Sequence, residues 1–398
     1  MFLQELKKIW KKERIALFII IVVLFSVTFL LPQIKFLKRG EKDSAGVSVA
    51  LTKECVTQYG EQITAQEYEE VRQHYFDALS EGQSIIATEP YFAENHVFTY
   101  EDYLEYEQNA LNGVEGYDYG NVRKMRDFIS QNTDYSAMYY QEYERLIQDY
   151  EESMEAKEYD IEITLSGKAK QIALETLDKF HEKEGQGSPL PYEFMAAGSR
   201  YLVNLSILCV ISTLFIASPV MVIDNVNNMR SGQWSSRKGS KIYRCQFMCM
   251  AGSLATVVIV ILAGGLLGWF TTGAFFFGKC SMFSFLSRTV PLLQFTYAEY
   301  IMTAMGLIFI LTNGIGYIVF YLSDTSHNYI EMLMKTLPVI FVGIIVSLSL
   351  EDAFFHTSYL FRLTSIKGAE FVPAALLFII GIFLNYRKRI RIGRERQL

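Results

Sequence analysis

The sequence predicts an all-α polytopic membrane protein: six transmembrane helices plus a mainly α-helical extracytoplasmic domain inserted after the first. Apolar residues gather in 15–37 and again between Tyr201 and Tyr386, in runs near the roughly 20 residues a helix needs to cross the hydrocarbon core. Only structures that close their own backbone hydrogen bonds survive in lipid, so each run reads as helix. Charge is divided along the chain. Asp43–Ser199 holds 11 Lys and Arg against 32 Asp and Glu, net −21, and the rest holds 26 against 11, net +15. The overall charge of −6 therefore describes neither part.

Residues 1–14 set Phe2, Leu3, Leu6, Ile9 and Trp10 at helical spacing among Lys7, Lys8, Lys11, Lys12 and Arg14, the pattern of an amphipathic helix lying on the inner leaflet. Spans are expected at 15–37, 200–223, 247–270, 298–322, 332–350 and 370–386. The fifth requires Lys335 to snorkel, and the sixth is short enough to need local thinning of the bilayer. Pro219 and Pro338 are candidate kinks. The connections are then 38–199, 224–246, 271–297, 323–331 and 351–369, with a basic tail at 387–398.

Basic residues crowd 1–14, the connection 224–246 and the tail, which places both termini in the cytoplasm of a cell-membrane protein and 38–199 outside. Lys35, Lys38, Arg39 and Lys42 run against this bias and read as a positive collar between lipid headgroups and the acidic domain. A cleaved signal peptide competes for the N-terminus. The apolar core is too long for one, and Ser48, Val49 and Ala50 lie too far beyond it, so an uncleaved anchor is expected.

Between Gln62 and Glu184 apolar residues fall three and four apart, and breaks near Pro90, Asn112–Gly120 and Asn132–Asp134 divide the stretch into four or five helices. Thr64 with Glu67, and Thr99 with Asp102, are expected helix starts. Ile161–Leu165 alternates and admits a short strand, and Gly185–Pro191 reads as a linker back to the membrane. Sixteen of the 25 tyrosines lie in this domain among carboxylates. They suit a cationic amphipathic peptide through charge and cation–π contact, or simply serve the domain's own core.

Cys209, Cys245 and Cys249 fall in or beside spans, whereas Cys55 and Cys280 face outside, either bridged or as free thiols. Gly273–Cys280 has phosphate-loop spacing but lacks the final Ser or Thr, so an interfacial Phe-rich turn with Lys279 at the headgroups is expected instead. His181 and Glu182 begin a zinc-protease motif that Gly185 ends. No catalytic constellation, metal site, cofactor or nucleic-acid partner is expected in this chain. Gly264, Gly265 and Gly268, and Asn313 with Gly314, are sites of close helix packing, within one subunit or across a dimer.

The connection Asp224–Gln246, with its central run from Met229 to Lys238, resembles the cytoplasmic loop of bacterial ABC transporter permeases of the exporter (type 2) class. In outline the resemblance extends to the interfacial helix, the six spans and the insertion after the first span. It implies a subunit without its own ATPase, paired with a second permease copy or paralogue and with a cytoplasmic ATP-binding subunit. The loop would then be a coupling helix docking on the ATPase. Trp234 would be its buried anchor, Arg230, Arg237, Lys238 and Lys241 charge partners, and Asp224 and Tyr243 the flanks of the segment. The expected function is export or extraction of an amphipathic peptide antibiotic or lipid. A membrane receptor or immunity protein sensing a ligand through its acidic domain is the alternative. The resemblance further implies that 351–369 re-enters the outer leaflet over an exit path, where a plain interfacial loop fits equally.

Overall fold

The computed structural model describes residues 2–38, 44–132, 137–235 and 239–394. Among them α-helix dominates, isolated bridges replace strands, and six helices are long and apolar enough to cross a membrane. Helix α1 (Phe2–Ile9) buries Ile9 and leaves Leu3 exposed. The first span, Lys12–Leu37, joins α2 (Lys12–Phe25), a π-helical turn (Ser26–Leu30) and α3 (Leu31–Leu37). Pro32 explains the irregularity, since it has no N–H to donate and its ring would collide with the carbonyl one turn earlier; a wider turn relieves both. The Asn204 side-chain amide donates to the Phe29 carbonyl in that turn, at 3.4 Å.

The inserted domain comprises α4 (Ser44–Tyr59), α5 (Ala65–Thr88), α6 (Pro90–Glu94), α7 (Tyr100–Leu111), α8 (Tyr119–Asn132), α9 (Ala137–Thr164) and α10 (Gly167–Glu184). Capping boxes start α5 at Thr64 and Glu67 and α7 at Thr99 and Asp102. The expected break at Asn132–Asp134 lies largely outside the described residues. Ile161–Leu165, which admits a short strand in the sequence, is instead the last turn of α9, with Leu165 N–H donating to the Ile161 carbonyl at 2.9 Å. Five residues of alternation span too little chain to separate a period of 2 from one of 3.6. Tyr68, Tyr75, Tyr100, Tyr103, Tyr106, Tyr140 and Tyr150 are buried, and Tyr68 stacks on Tyr150 at 4.0 Å. Much of the aromatic content thus goes to the domain's own core.

Gly185–Pro191 is not a free linker: Gly187 to Pro191 are buried. Ser188 N–H donates to the Phe283 carbonyl at 2.8 Å, Ser188 Oγ to the Ser281 carbonyl at 2.6 Å, and Ser284 Oγ to the Leu190 carbonyl at 2.8 Å. Gly187 has φ +107°, and a Cβ there would meet the Phe283 carbonyl oxygen at 2.4 Å, so glycine is required. Phe180 stacks on Phe283, and Phe285 packs on Tyr150, so the domain is seated on the connection after the third span. His356, in the connection after the fifth, lies 3.0 Å from Asp160 of α9. Cys55 and Cys280 are both buried and unpaired.

The remaining elements are α11 (Tyr192–Val226), α12 (Met229–Ser235), α13 (Gly239–Phe270), a 3₁₀ turn (Ala274–Phe277), α14 (Tyr297–Asp324), α15 (Tyr329–Leu348), α16 (Tyr359–Thr364) and α17 (Phe371–Arg394). The 3₁₀ turn is the Phe-rich segment, with Phe277 buried, Phe275 stacked on Phe270 and Lys279 exposed. In the connection 351–369, Phe354, Phe355 and Phe361 are buried and Tyr359 is exposed. Burial of the apolar windows is 61% for α11 and 67% for α14 but 6% for the first span. The first two are the centre of the bundle; the last stands at its edge.

Small residues set the spacing at that centre. A Cβ on Gly314 would lie 2.6 Å from the Phe378 backbone nitrogen, and one on Gly381 would lie 2.8 Å from the Gly314 carbonyl oxygen, so α14 and α17 touch backbone to backbone. Near Pro219, Ser323 Oγ enters the α11 ladder, accepting from Val222 N–H at 3.1 Å and donating to the Ser218 carbonyl. Such insertion is a recognised cause of helix bending. Lys335 reaches Glu331 at 2.6 Å and donates to the Thr325 carbonyl at 3.1 Å, both at the end of α15 nearer the termini.

Candidate functional site

Two carboxylates end central helices on the side of the bundle that carries both termini: Asp224 in the last turn of α11 and Asp324 at the last position of α14. Both are buried, with 2% and 0% of their side chains exposed. A helix C-terminus carries partial negative charge, so an acid there is disfavoured, and a buried one needs a cation. Three other elements supply the cations.

The turn after α11 aims the first of them. Asn227 caps the helix and Asn228 takes φ +52°, a left-handed conformation that asparagine tolerates better than most residues, so α12 folds back under the span ends. Arg230, one residue into α12, is thereby buried. Its guanidinium pairs with the Asp324 carboxylate, donates to the Asp324 carbonyl and donates to Asn225 Oδ1 at 2.6 Å. Lys388 of α17 approaches the same carboxylate at 3.3 Å. Asn225 Nδ2 closes the group by donating to the Asp324 and Ser326 carbonyls. Burial pushes the Arg230 guanidinium down to about 10, which leaves it charged at neutral pH.

Asp224 is the second centre. Lys8 of α1 donates to its two oxygens at 3.1 and 3.0 Å, and the amides of Gln233 on α12 and Gln246 on α13 approach Oδ2 at 3.4 Å. Partial burial works against the Lys8 charge, but the Asp224 and Glu5 carboxylates together outweigh it and lift Lys8 above the usual lysine value. Beside these groups Tyr243 donates to Asn385 Oδ1 at 2.8 Å, and Asn385 donates to the Tyr317 and Gly381 carbonyls. Polar contacts thus tie α1, α11, α12, α13, α14 and α17 together at one end of the bundle.

Among the described residues of the expected coupling segment, Asp224, Arg230 and Tyr243 turn inward and Lys241 is exposed. Arg230 therefore differs from the expected surface charge, because Asp324 would otherwise be a buried unpaired anion. The Trp234 side chain, Arg237 and Lys238 lie outside the described residues. Gly264 has no atom within 4 Å of a Cβ placed on it, Gly268 meets Tyr201 and Ile34, and Asn313 donates to the Phe309 carbonyl of its own helix at 2.8 Å. Sequence reasoning missed Asp324, Lys388, Lys8, Gln233, Gln246 and Asn385. The available signal was two solitary acids closing long apolar helices, each of which demands a cation.

Comparison with protein-family models, characterised proteins and solved structures finds no match to this chain, so its function is argued from its own geometry.

Proposed function

We propose that the chain is the membrane-spanning permease subunit of an ATP-driven exporter of the ABC type. In this reading both termini and α12 face the cytoplasm, the inserted domain faces outward, and a separate ATP-binding subunit and a second permease copy or paralogue complete the transporter. The cargo is an amphipathic peptide or lipid.

The observation that carries this reading is the fastening of α12. A loop that served topology alone would need only positive charge near the membrane. Here one short helix is pinned by Arg230 to the end of α14 and by Gln233 to the end of α11, while Lys388 brings α17 to the same acid. A push on α12 by a partner would reach three spans at once through groups that are buried or half-buried and paired. Coupling of this kind needs contiguous, discretely packed contacts between the two sites.

The test is co-expression with the ATPase encoded nearest to this chain, followed by pull-down and measurement of ATP turnover in nanodiscs. Wild-type protein is expected to retain the ATPase. Trp234→Ala and the double variant Arg237→Glu/Lys238→Glu are expected to release it, whereas Arg230→Met keeps it bound but uncouples substrate-stimulated turnover. Stable isolation from its own membrane with no ATPase, and no stimulation by any amphipathic peptide or lipid, would refute the reading.

A further inference from the structure

A groove of about 520 Å³ runs between the first span and α11 and α13, lined by Val22, Val23, Ser26, Leu205, Val260 and Gly264 among others. It continues from Phe18 to Ile34, roughly 24 Å at 1.5 Å per helical residue, against a hydrocarbon core of about 30 Å. Its volume falls within the roughly 300–1,000 Å³ of small-molecule sites, and Ser26 and Tyr201 are the lining residues that carry a side-chain hydroxyl. The Tyr201 hydroxyl is already committed, donating to the Gly265 carbonyl at 2.8 Å. The π-turn Ser26–Leu30 falls within the stretch of the first span that lines the groove.

Three features decide the occupant. The groove lies wholly in the apolar part of the spans, so what fills it there is hydrocarbon or another helix. The glycine stripe does not offer a helix its backbone: Gly265 is covered by Leu205, with a Cβ contact of 2.8 Å, and Gly268 by Tyr201 and Ile34. Gly264 alone opens into the space, which fits a chain and not a helix. Finally, Lys35 and Lys38 stand exposed just past Ile34, where the groove ends, and Arg39 and Lys42 follow in the sequence. Basic residues on that end oppose the charge pattern of the rest of the protein and complement a phosphate.

We infer that this groove seats one acyl chain of an anionic phospholipid from the leaflet nearer the inserted domain, with Lys35 and Lys38 holding its phosphate. The seat does not depend on transport: it belongs to a resident lipid that completes the packing of the loosely held first span.

Full-length protein is reconstituted in nanodiscs of equal phosphatidylglycerol and phosphatidylcholine, re-extracted in mild detergent and weighed by native mass spectrometry. Wild type is expected to retain one phosphatidylglycerol per chain. Gly264→Trp, whose Cβ has no atom within 4 Å and whose ring fills the groove, lowers retention about ten-fold or more. Lys35→Glu/Lys38→Glu keeps a lipid but erases a preference for phosphatidylglycerol of up to about thirty-fold. Val23→Trp fills the same space from the exposed edge of the first span and replaces Gly264→Trp if that variant melts abnormally. Retention of no lipid, equal retention of both lipids by wild type, unchanged retention in the filled variants, or disulfide crosslinking of Val23→Cys to a second copy each overturns the assignment.

Discussion

Arg230, one residue into α12, and Asp324, the last residue of α14, form an ion pair that is almost entirely removed from solvent. Their positions are 94 residues apart, and the pair closes the end of the bundle where the second, fourth and sixth spans meet. Removing the cation leaves a buried carboxylate with only Lys388 for charge. Arg230→Met is therefore expected to cost about 3 kcal/mol, the lower end of the usual range for a broken buried pair. The double variant Arg230→Met/Asp324→Leu should recover most of that loss. Thermal melting in detergent reads both, and a single variant melting within about one degree of wild type would mean that the pair does not hold α12.

At Asp224 the two sides of the contact are unequal. Lys8 is 30% exposed and shares its charge with Glu5, but it is the cation on a carboxylate only 2% exposed, so Lys8→Met should cost about 3 kcal/mol, the lower end for a buried charge that loses its partner. Asp224→Ala removes both the anion and the acceptor that the Gln233 and Gln246 amides share, but Gln246 keeps its 3.4 Å contact with Gln233 Oε1, so about 1 kcal/mol is expected for the lost hydrogen bonds. Melting ranks the two, and limited proteolysis should release α1 faster in both. Equal losses would show that stranding the buried carboxylate carries no penalty of its own.

The seam between the inserted domain and the bundle should weaken in acid. Burial pushes the Lys157 ammonium, packed over the Phe283 ring, down to about 7, against a weaker pull from Asp149. Unfolded lysine titrates near 10.5, so the folded state binds fewer protons between those values and stability rises with pH across that window. Burial also lowers His356, outweighing the attraction of Asp160, and its Nδ1 accepts the Val290 N–H at 3.0 Å. Its contribution is full above about 6.5 and is lost as pH falls through its folded value. Lys157→Met is expected to flatten the melting profile from about pH 7 to 10, and His356→Gln the part below about 6.5. Asp149 and Glu370, whose carboxyls burial raises, act oppositely on the acid side. The informative quantity is thus the difference from wild type, and parallel profiles would refute the assignment.

The glycines should separate by position. Gly314→Ala and Gly381→Ala force a Cβ into backbone atoms within 2.9 Å and should cost about 1–3 kcal/mol, the usual range for overpacking. Gly264→Ala, with open space around it, is expected to be neutral or slightly stabilising in a helix interior. Similar melting temperatures for all three would contradict the α14–α17 contact.

The sequence alone determined the all-α class, the number of spanning helices and the acidic insertion, because these follow from run length, period and charge, which are local properties of the chain. The capping boxes at Thr64 and Thr99 were legible for the same reason, since their partners are three residues apart. What only the tertiary structure decided is who meets whom. Gly185–Pro191 has the composition of a linker, yet from Gly187 onward it is buried against Ser281–Ser284, since its fate depends on a loop nearly a hundred residues away. Arg230 has the sequence context of a surface charge and becomes a buried one because Asp324 waits at the end of another helix. Gly264, Gly268 and Gly314 look alike in the sequence, and only the helix beside each separates an open groove from a backbone contact. Pairings of that kind are set by the summed packing of distant segments, which no short stretch of sequence carries.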